Sequence, residues 1–305
     1  AIPRYFSKFS NKIYCNHQKL AIYVLMQKFK TTSRGIVSIL KSSSEMKLHL
    51  NLNRIPVHTT ILRFAERIGQ QISDILNIRK ADTVAVDATG FELESKSFYY
   101  RKIIYFRRKK TKVFMKLGLS IDTDKKLILC YKIRKSRAHE SRDFKFLLKE
   151  IKCKNVVADK GYDSMDLRRF VINKLRAKPH IPYRKNSGVP KWKIYLPNKL
   201  IYCRRALVEN IFFCIKKKYG SVLRNRTFAT QKVELISKLI AYNVDRMQHY
   251  ILLILEDCTS ASKRKVFKQN SQCFYHVKIY IIDKPCKFCF YINYNSMAHK
   301  ILEKH

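Results

Sequence analysis

Acidic residues are the scarce commodity in this chain: 22 Asp and Glu stand against 64 Lys and Arg in 305 residues, and glycine occurs only seven times. So few glycines leave no Gly-rich loop of the kind that cradles nucleotide phosphates. No run of about 18 apolar residues is present to cross a bilayer, and no signal peptide is read at the start. The longest apolar stretch near the end, Tyr250 to Leu255, suits only a short core helix or strand. No internal repeat is evident. The nine cysteines are odd in number and come without a secretion signal, so reduced thiols are expected, and with them a cytoplasmic, nucleoid-associated protein. The chain opens on Ala1 and not on Met, which is compatible with a truncated amino end.

What is abundant is positive charge. The balance is 64 − 22 = +42, spread along the whole length, and it calls for a polyanionic partner, of which nucleic acid is the commonest. Coding bias toward Lys, Ile, Tyr and Phe would inflate the figure, yet a charge this large binds DNA whatever its origin. With 46% apolar and 12% aromatic residues the chain can bury a core, and its length predicts two domains plus a tail.

Residues 1–80 read as helical. Leu20–Met26 and Ile36–Leu40 carry apolar residues at helical spacing, broken at Thr31-Thr-Ser-Arg34. A third stretch, Thr59–Ile68, comes after Pro56, with Thr59 or Thr60 placed to cap it. This segment holds 14 Lys/Arg against 3 Asp/Glu, a net of +11. Two readings stay open for it: a small DNA-binding module of the helix-turn-helix kind, or plain helical support for the next domain.

From residue 81 the pattern turns to short β-branched runs. Thr83–Asp87, Val113–Ile121 and Leu127–Ile133 read as strands, with a turn at Asp122–Lys125. A helix from Arg142 to Ile151 is next, capped by Ser141. Then come a strand Asn155–Asp159, a helix from about Asp163, a short strand His180–Tyr183 and a long helix from Arg204 to Tyr219. The order β-β-β-α-β-α-β-α predicts an α/β domain with a mixed sheet over residues 81–250, and after it a basic tail, 251–305, of unknown role.

In a chain so poor in acids, one that ends an apolar strand is informative. Asp87 and Asp159 are both expected at carboxyl ends of central strands, where open α/β sheets place their sites. Tyr202, Arg205, Glu209 and Lys216 fall within roughly 60° of one another on the last helix. Leu207, Val208, Ile211, Phe212 and Ile215 beside them pack it down. Taken alone, that face reads first as an exposed ion-paired stripe, and the other reading is one metal ligand flanked by phosphate contacts. Three converging carboxylates are what two-metal phosphoryl transfer requires, because Mg²⁺ prefers hard oxygen ligands.

Val86-Asp-Ala-Thr-Gly90, Ala158-Asp-Lys-Gly-Tyr-Asp163 and the Tyr-x2-Arg-x3-Glu-x6-Lys pattern at 202–216 together resemble the insertion-sequence transposases of families four and five. Ile55–Phe64, His139–Asp143 and Ile181–Asn186 extend the similarity over roughly residues 10–250. The resemblance implies a ribonuclease-H-like catalytic domain of the DDE class, with DNA ends as substrate and a homodimer on DNA. It also implies that Asp87, Asp159 and Glu209 hold two Mg²⁺ or Mn²⁺ ions, and that Tyr202, Arg205 and Lys216 contact DNA near the cut. The spacing of 50 positions from Asp159 to Glu209 leaves no room for the large β insertion of some members. A catalytically inactive DNA-binding relative and a non-transposing nuclease of the same fold are the rival readings.

Other features have simpler readings. Asp163 and Asp166 read as a helix cap and its dipole-favoured partner, so Asn at 163 should be tolerated. Asp143 and Glu140 read the same way, and His139 is a further candidate to line the site. Arg107-Arg-Lys-Lys110, with Tyr99, Tyr100, Tyr105 and Phe106 before it, either tracks a DNA strand or forms a solvated hairpin. In the tail, Cys273, His276, Cys286 and Cys289 have the spacing of a zinc site, or are idle thiols of a hairpin.

Overall fold

The computed structural model describes residues 3–71, 79–94, 114–135, 139, 141–183 and 197–263, with side chains described as far as His249. Four helices come first: α1 Asn16–Lys28, α2 Ser33–Ser42, α3 Ser44–His49 and α4 His58–Gln71. Their starts are written in the sequence. Cys15 and Gln18 form a reciprocal capping box on α1, Thr32 caps α2 through the Gly35 N–H, and Ser43 caps α3. The break at Thr31–Arg34 is thus a cap. Because α4 begins at His58, Thr59 and Thr60 lie inside it and do not cap it.

The sheet comes next: β1 Thr83–Leu93, β2 Phe114–Asp122, β3 Leu127–Arg134, β4 Asn155–Ala158, β5 Lys178–His180 and β6 Val222–Leu223. Between and after the strands lie α5 Ser141–Leu148, α6 Met165–Arg169, the single turn α7 Lys199–Tyr202, α8 Ala206–Tyr219 and a long final helix, α9 Phe228–Lys263. The strand order is β3-β2-β1-β4-β5, with β6 also pairing with β1. β1, β2 and β3 are antiparallel, while β4, β5 and β6 extend the sheet in parallel. This is the expected ribonuclease-H-like mixed sheet flanked by helices. The β2–β3 turn is closed by Asp122, whose carboxylate accepts the Asp124 and Lys125 N–H groups at 2.9 and 3.2 Å.

Alternation along the strands sorts side chains to two cores. Val84 and Val86 of β1, with Val156 and Ala158 of β4, pack against Phe144, Leu147 and Leu148 of α5. Ala85, Phe91 and Leu93, with Val157, face the other way, onto Val208, Ile211, Phe212 and Ile215 of α8 and onto α9. That second core runs on without a break into Ile22, Tyr23, Ile61, Phe64 and Ile68 of the amino-terminal helices. α9 is the shared member, in contact with α1, α4, β3 and α8. Its Asn243 side chain donates to the Ile128 carbonyl and accepts from the Ile128 N–H, both at 2.9 Å.

Where α4 crosses α9, the backbones meet at Gly69: a Cβ there would lie 2.3 Å from the Ala229 carbonyl oxygen. Helix propensity alone favours Ala over Gly by about 1 kcal/mol. Overpacking at a rigid backbone contact costs about 1–3 kcal/mol and should prevail. Gly69→Ala is therefore expected to lower the midpoint of thermal unfolding monitored by circular dichroism. A raised midpoint would show that the two helices can part at little cost.

Candidate active site

Asp87 is not at the end of its strand. β1 continues past it to Leu93, because β2 pairs with it as far as Glu92. What ends near Asp87 is the neighbour on the other edge. β4 pairs with Thr83–Val86 and stops, and β6 takes up the same edge only at Glu92 and Leu93. Residues 87–91 of β1 thus border a gap in the sheet. Asp159 comes directly after β4, one step beyond the Val86–Ala158 pairing. Adjacent strands are about 4.8 Å apart, so the two aspartates are close neighbours. Both continue the odd-numbered alternation of Ala85 and Val157, which places them on the α8 side of the sheet. Each carboxylate accepts an N–H from the next residue, Asp87 from Ala88 at 2.8 Å and Asp159 from Lys160 at 2.7 Å.

A 3₁₀ turn, Cys203–Arg205, joins α7 to α8 and lies against both β1 and β4. It carries Arg205 to Glu209, which it meets at 2.8 Å; the Glu209 side chain stays 53% exposed. Burial raises the Tyr202 pKa, Arg205 opposes this, and the charges of Asp159 and Glu209 add to the rise. For Arg205, burial pulls the pKa down, but Glu209, Tyr202 and Asp159 outweigh it and hold it above its ordinary value. Asp159, Tyr202, Arg205 and Glu209 therefore share one electrostatic neighbourhood.

Lys216 lies two turns further along α8 and reaches back to the strand. Its Nζ donates to Thr89 Oγ1 at 2.7 Å and sits 5.3 Å from the centroid of the Phe91 ring. Burial lowers its pKa, and Glu92 partly offsets that. Thr89 and Phe91 repeat the alternation that starts at Asp87, and period-two spacing from the aspartate would have found both. The far end of α8 is fixed by a buried pair on α9. Lys238 donates to the Gly220 and Val222 carbonyls at 3.0 and 2.9 Å, and Glu234 accepts the Arg224 and Asn225 N–H groups. Gly220 takes φ 93°, which a residue with a side chain adopts only under strain.

The donor chemistry fits a hard divalent cation: three carboxylates lie on one side of the sheet with no sulfur or imidazole in the set. Among the described residues no three acids, His or Cys are drawn together as a ready-made metal cluster, and Glu209 is turned to Arg205. An i,i+4 ion pair with a half-exposed carboxylate is worth only about 0.5 kcal/mol, so this contact is easily given up.

Other expected roles change. Asp163 is not a cap: Ser164 occupies the N-cap of α6 without a side-chain bond, and the Asp163 side chain is wholly buried against Arg168. The Arg168 Nε and Nη2 donate to it at 3.1 and 2.8 Å, and Nη2 also donates to the Ile181 carbonyl at 2.7 Å. Asp143 is buried and paired with Arg134, while retaining its place in the first turn of α5. His139 is exposed, with Nδ1 at 2.8 Å from Ser141 Oγ. It stands at the head of α5, which packs on the sheet face away from α8. Glu140, the 99–110 aromatic and basic run, and Cys273, His276, Cys286 and Cys289 lie outside the described residues.

No helix among the described residues is long and apolar enough to cross a membrane. In comparison with known proteins, residues 78–244 match the transposase DDE domain model. None of the curated proteins compared matches the sequence. Among solved structures, similarity is found to a piggyBac transposase synaptic complex with hairpin DNA, determined by cryo-EM. It is 11% identical, has a TM-score of 0.43 and covers 79% of this chain and 67% of that one.

Proposed function

The chain belongs to the transposase DDE domain family, and from that membership and the site geometry we propose that it cuts the ends of a mobile DNA element and joins them to target DNA. The observation that carries this reading is the gap in the sheet beside β1, where Asp87 and Asp159 stand together on the side covered by α8. Asp87, Asp159 and Glu209 would hold two Mg²⁺ or Mn²⁺ ions. Bound there, such ions activate the attacking oxygen and neutralise charge on the phosphate being cut.

The chain's own residues position the DNA. Arg205 holds Glu209 until a phosphate oxygen competes for the guanidinium, so arrival of the DNA backbone frees that carboxylate. Lys216, fixed by Thr89, is a cation set to one side of the aspartates for a second phosphate. Tyr202 offers a hydroxyl beside Asp159. In this reading residues 1–80 bind the element's end, 81–250 carry the chemistry, and two copies act together on DNA.

The test is purified protein with Mg²⁺ and a plasmid carrying the coding region with its native flanking DNA. Strand cleavage at the flanks and joined products are expected. Cleavage without joining would reduce the protein to a nuclease, and intact DNA bound by the wild-type chain would overturn the reading. Binding itself should be steeply salt-dependent, each phosphate contact adding about −0.9 to the slope of log K against log salt. A slope near zero in an anisotropy titration would remove DNA as the partner.

A further inference from the structure

Glu209, Phe213 and Lys217 stand at i, i+4 and i+8 on α8, within roughly 80° of one another. Phe213 is 62% exposed, and Lys217 Nζ sits 5.5 Å from the centroid of its ring. An exposed aromatic beneath a lysine presents a flat apolar surface and a cation together. The stripe does not stop at the end of α8. Lys30, just past α1, donates from Nζ to the Lys217 carbonyl at 3.3 Å, and Arg224 Nη1 donates to the Lys30 carbonyl at 3.3 Å. Lys28 and Lys218 adjoin, both paired with Asp245.

Five cations thus meet two acids, Asp245 and Glu94, a local balance of 5 − 2 = +3. Asp245 is only 13% exposed while Lys28 and Lys218 are 39% and 58% exposed, so the lysine side chains and not the carboxylate meet solvent. We infer that this stripe, from Phe213 and Lys217 across to Lys30 and Arg224, is a track for duplex DNA leading from the cutting site to the amino-terminal helices. The inference rests on the reading of Glu209 as part of that site. Eight residues of helix span about 12 Å, which is three to four phosphates at about 3.4 Å each. Lys217 then touches the backbone about three to four nucleotides from the cut, on the side that continues to α1.

A matched control stands on the opposite face of the sheet. Phe146 of α5 is also exposed and lies 3.9 Å beneath Lys132 Nζ. Full-length protein carrying the photo-crosslinker p-benzoylphenylalanine in place of Phe213, or in place of Phe146, is irradiated with a short fluorescent duplex of mixed sequence. Crosslinking is expected at 213 and to be weak at 146. Combining Lys30→Ala, Lys217→Ala and Arg224→Ala should reduce the salt slope by about 2–3, at about 0.9 per contact. Equal or stronger crosslinking at 146, or an unchanged slope, overturns the track. The wild-type plasmid assay separates the two ideas. Cutting without a crosslink at 213 removes the track alone, whereas a crosslink without cutting removes the catalytic reading and leaves a DNA-binding face.

Discussion

Replacing Asp87, Asp159 or Glu209 singly by Ala is expected to reduce Mg²⁺-dependent DNA cleavage by at least about 10³-fold while leaving DNA binding almost unchanged. Each substitution removes a hard oxygen ligand from a site whose ions would stabilise the transition state by several kcal/mol, and each 1.36 kcal/mol is a tenfold change in rate. Folding should survive. Asp87 and Asp159 are half-buried beside the gap in the sheet, and Glu209 gives up only a weak surface pair with Arg205. Binding should survive because it rests on dozens of Lys and Arg away from the triad. Arg205→Ala and Lys216→Ala should lower the rate only in part, since in the proposed reading they would contact phosphate and not metal. The measurements are cleavage rates and anisotropy titrations on the same preparations. Glu209→Ala cutting at the wild-type rate would show that the third carboxylate lies elsewhere.

Asp163→Asn is expected to destabilise the fold by about 3–5 kcal/mol, the usual cost of removing one partner from a buried ion pair. The Arg168 side chain is 4% exposed and that of Asp163 is 0% exposed, so the guanidinium cannot turn to water for compensation. An amide keeps the shape and loses the charge. For a chain of this size such a loss should lower the unfolding midpoint by about 10 °C. Cleavage per folded molecule should remain, which separates this aspartate from Asp159 four residues earlier. A variant as stable as wild type but unable to cut would move Asp163 into the catalytic set.

These two aspartates show where the sequence was legible and where it was not. Alternating β-branched runs and the turn at Asp122 mark the strands well, since burial on both faces demands those residues. The Tyr, Arg, Glu and Lys on α8 are readable because helical spacing alone puts them on one face. Beyond that, pairing decides. Asp87 looked like a strand end because the apolar run stops there, yet β2 pairs with β1 for five residues more, to Glu92. Asp163 looked like a cap because it precedes a helix. Its true partner is five residues on, and Arg168 in turn needs the Ile181 carbonyl, which no local pattern reveals. Val222–Leu223 was missed as a strand because two residues carry no periodicity. Of α9 only Tyr250–Leu255 was read, as a short helix or strand, and the rest was missed because its inner face mixes Glu234, Lys238 and Asn243 with the apolar positions.

That last helix also sets the order in which the chain can fold during synthesis. α1 and α4 complete their packing only on α9, so residues made first must wait for residues near 250. At 5–20 residues per second the interval from α4 to α9 is roughly 10–40 s. Throughout it, Ile22, Ile61, Phe64 and Ile68 lack their partner and remain open to chaperones or to one another. A chain released before residue 228 would carry every candidate catalytic residue and yet lack the helix that completes the core on their side of the sheet.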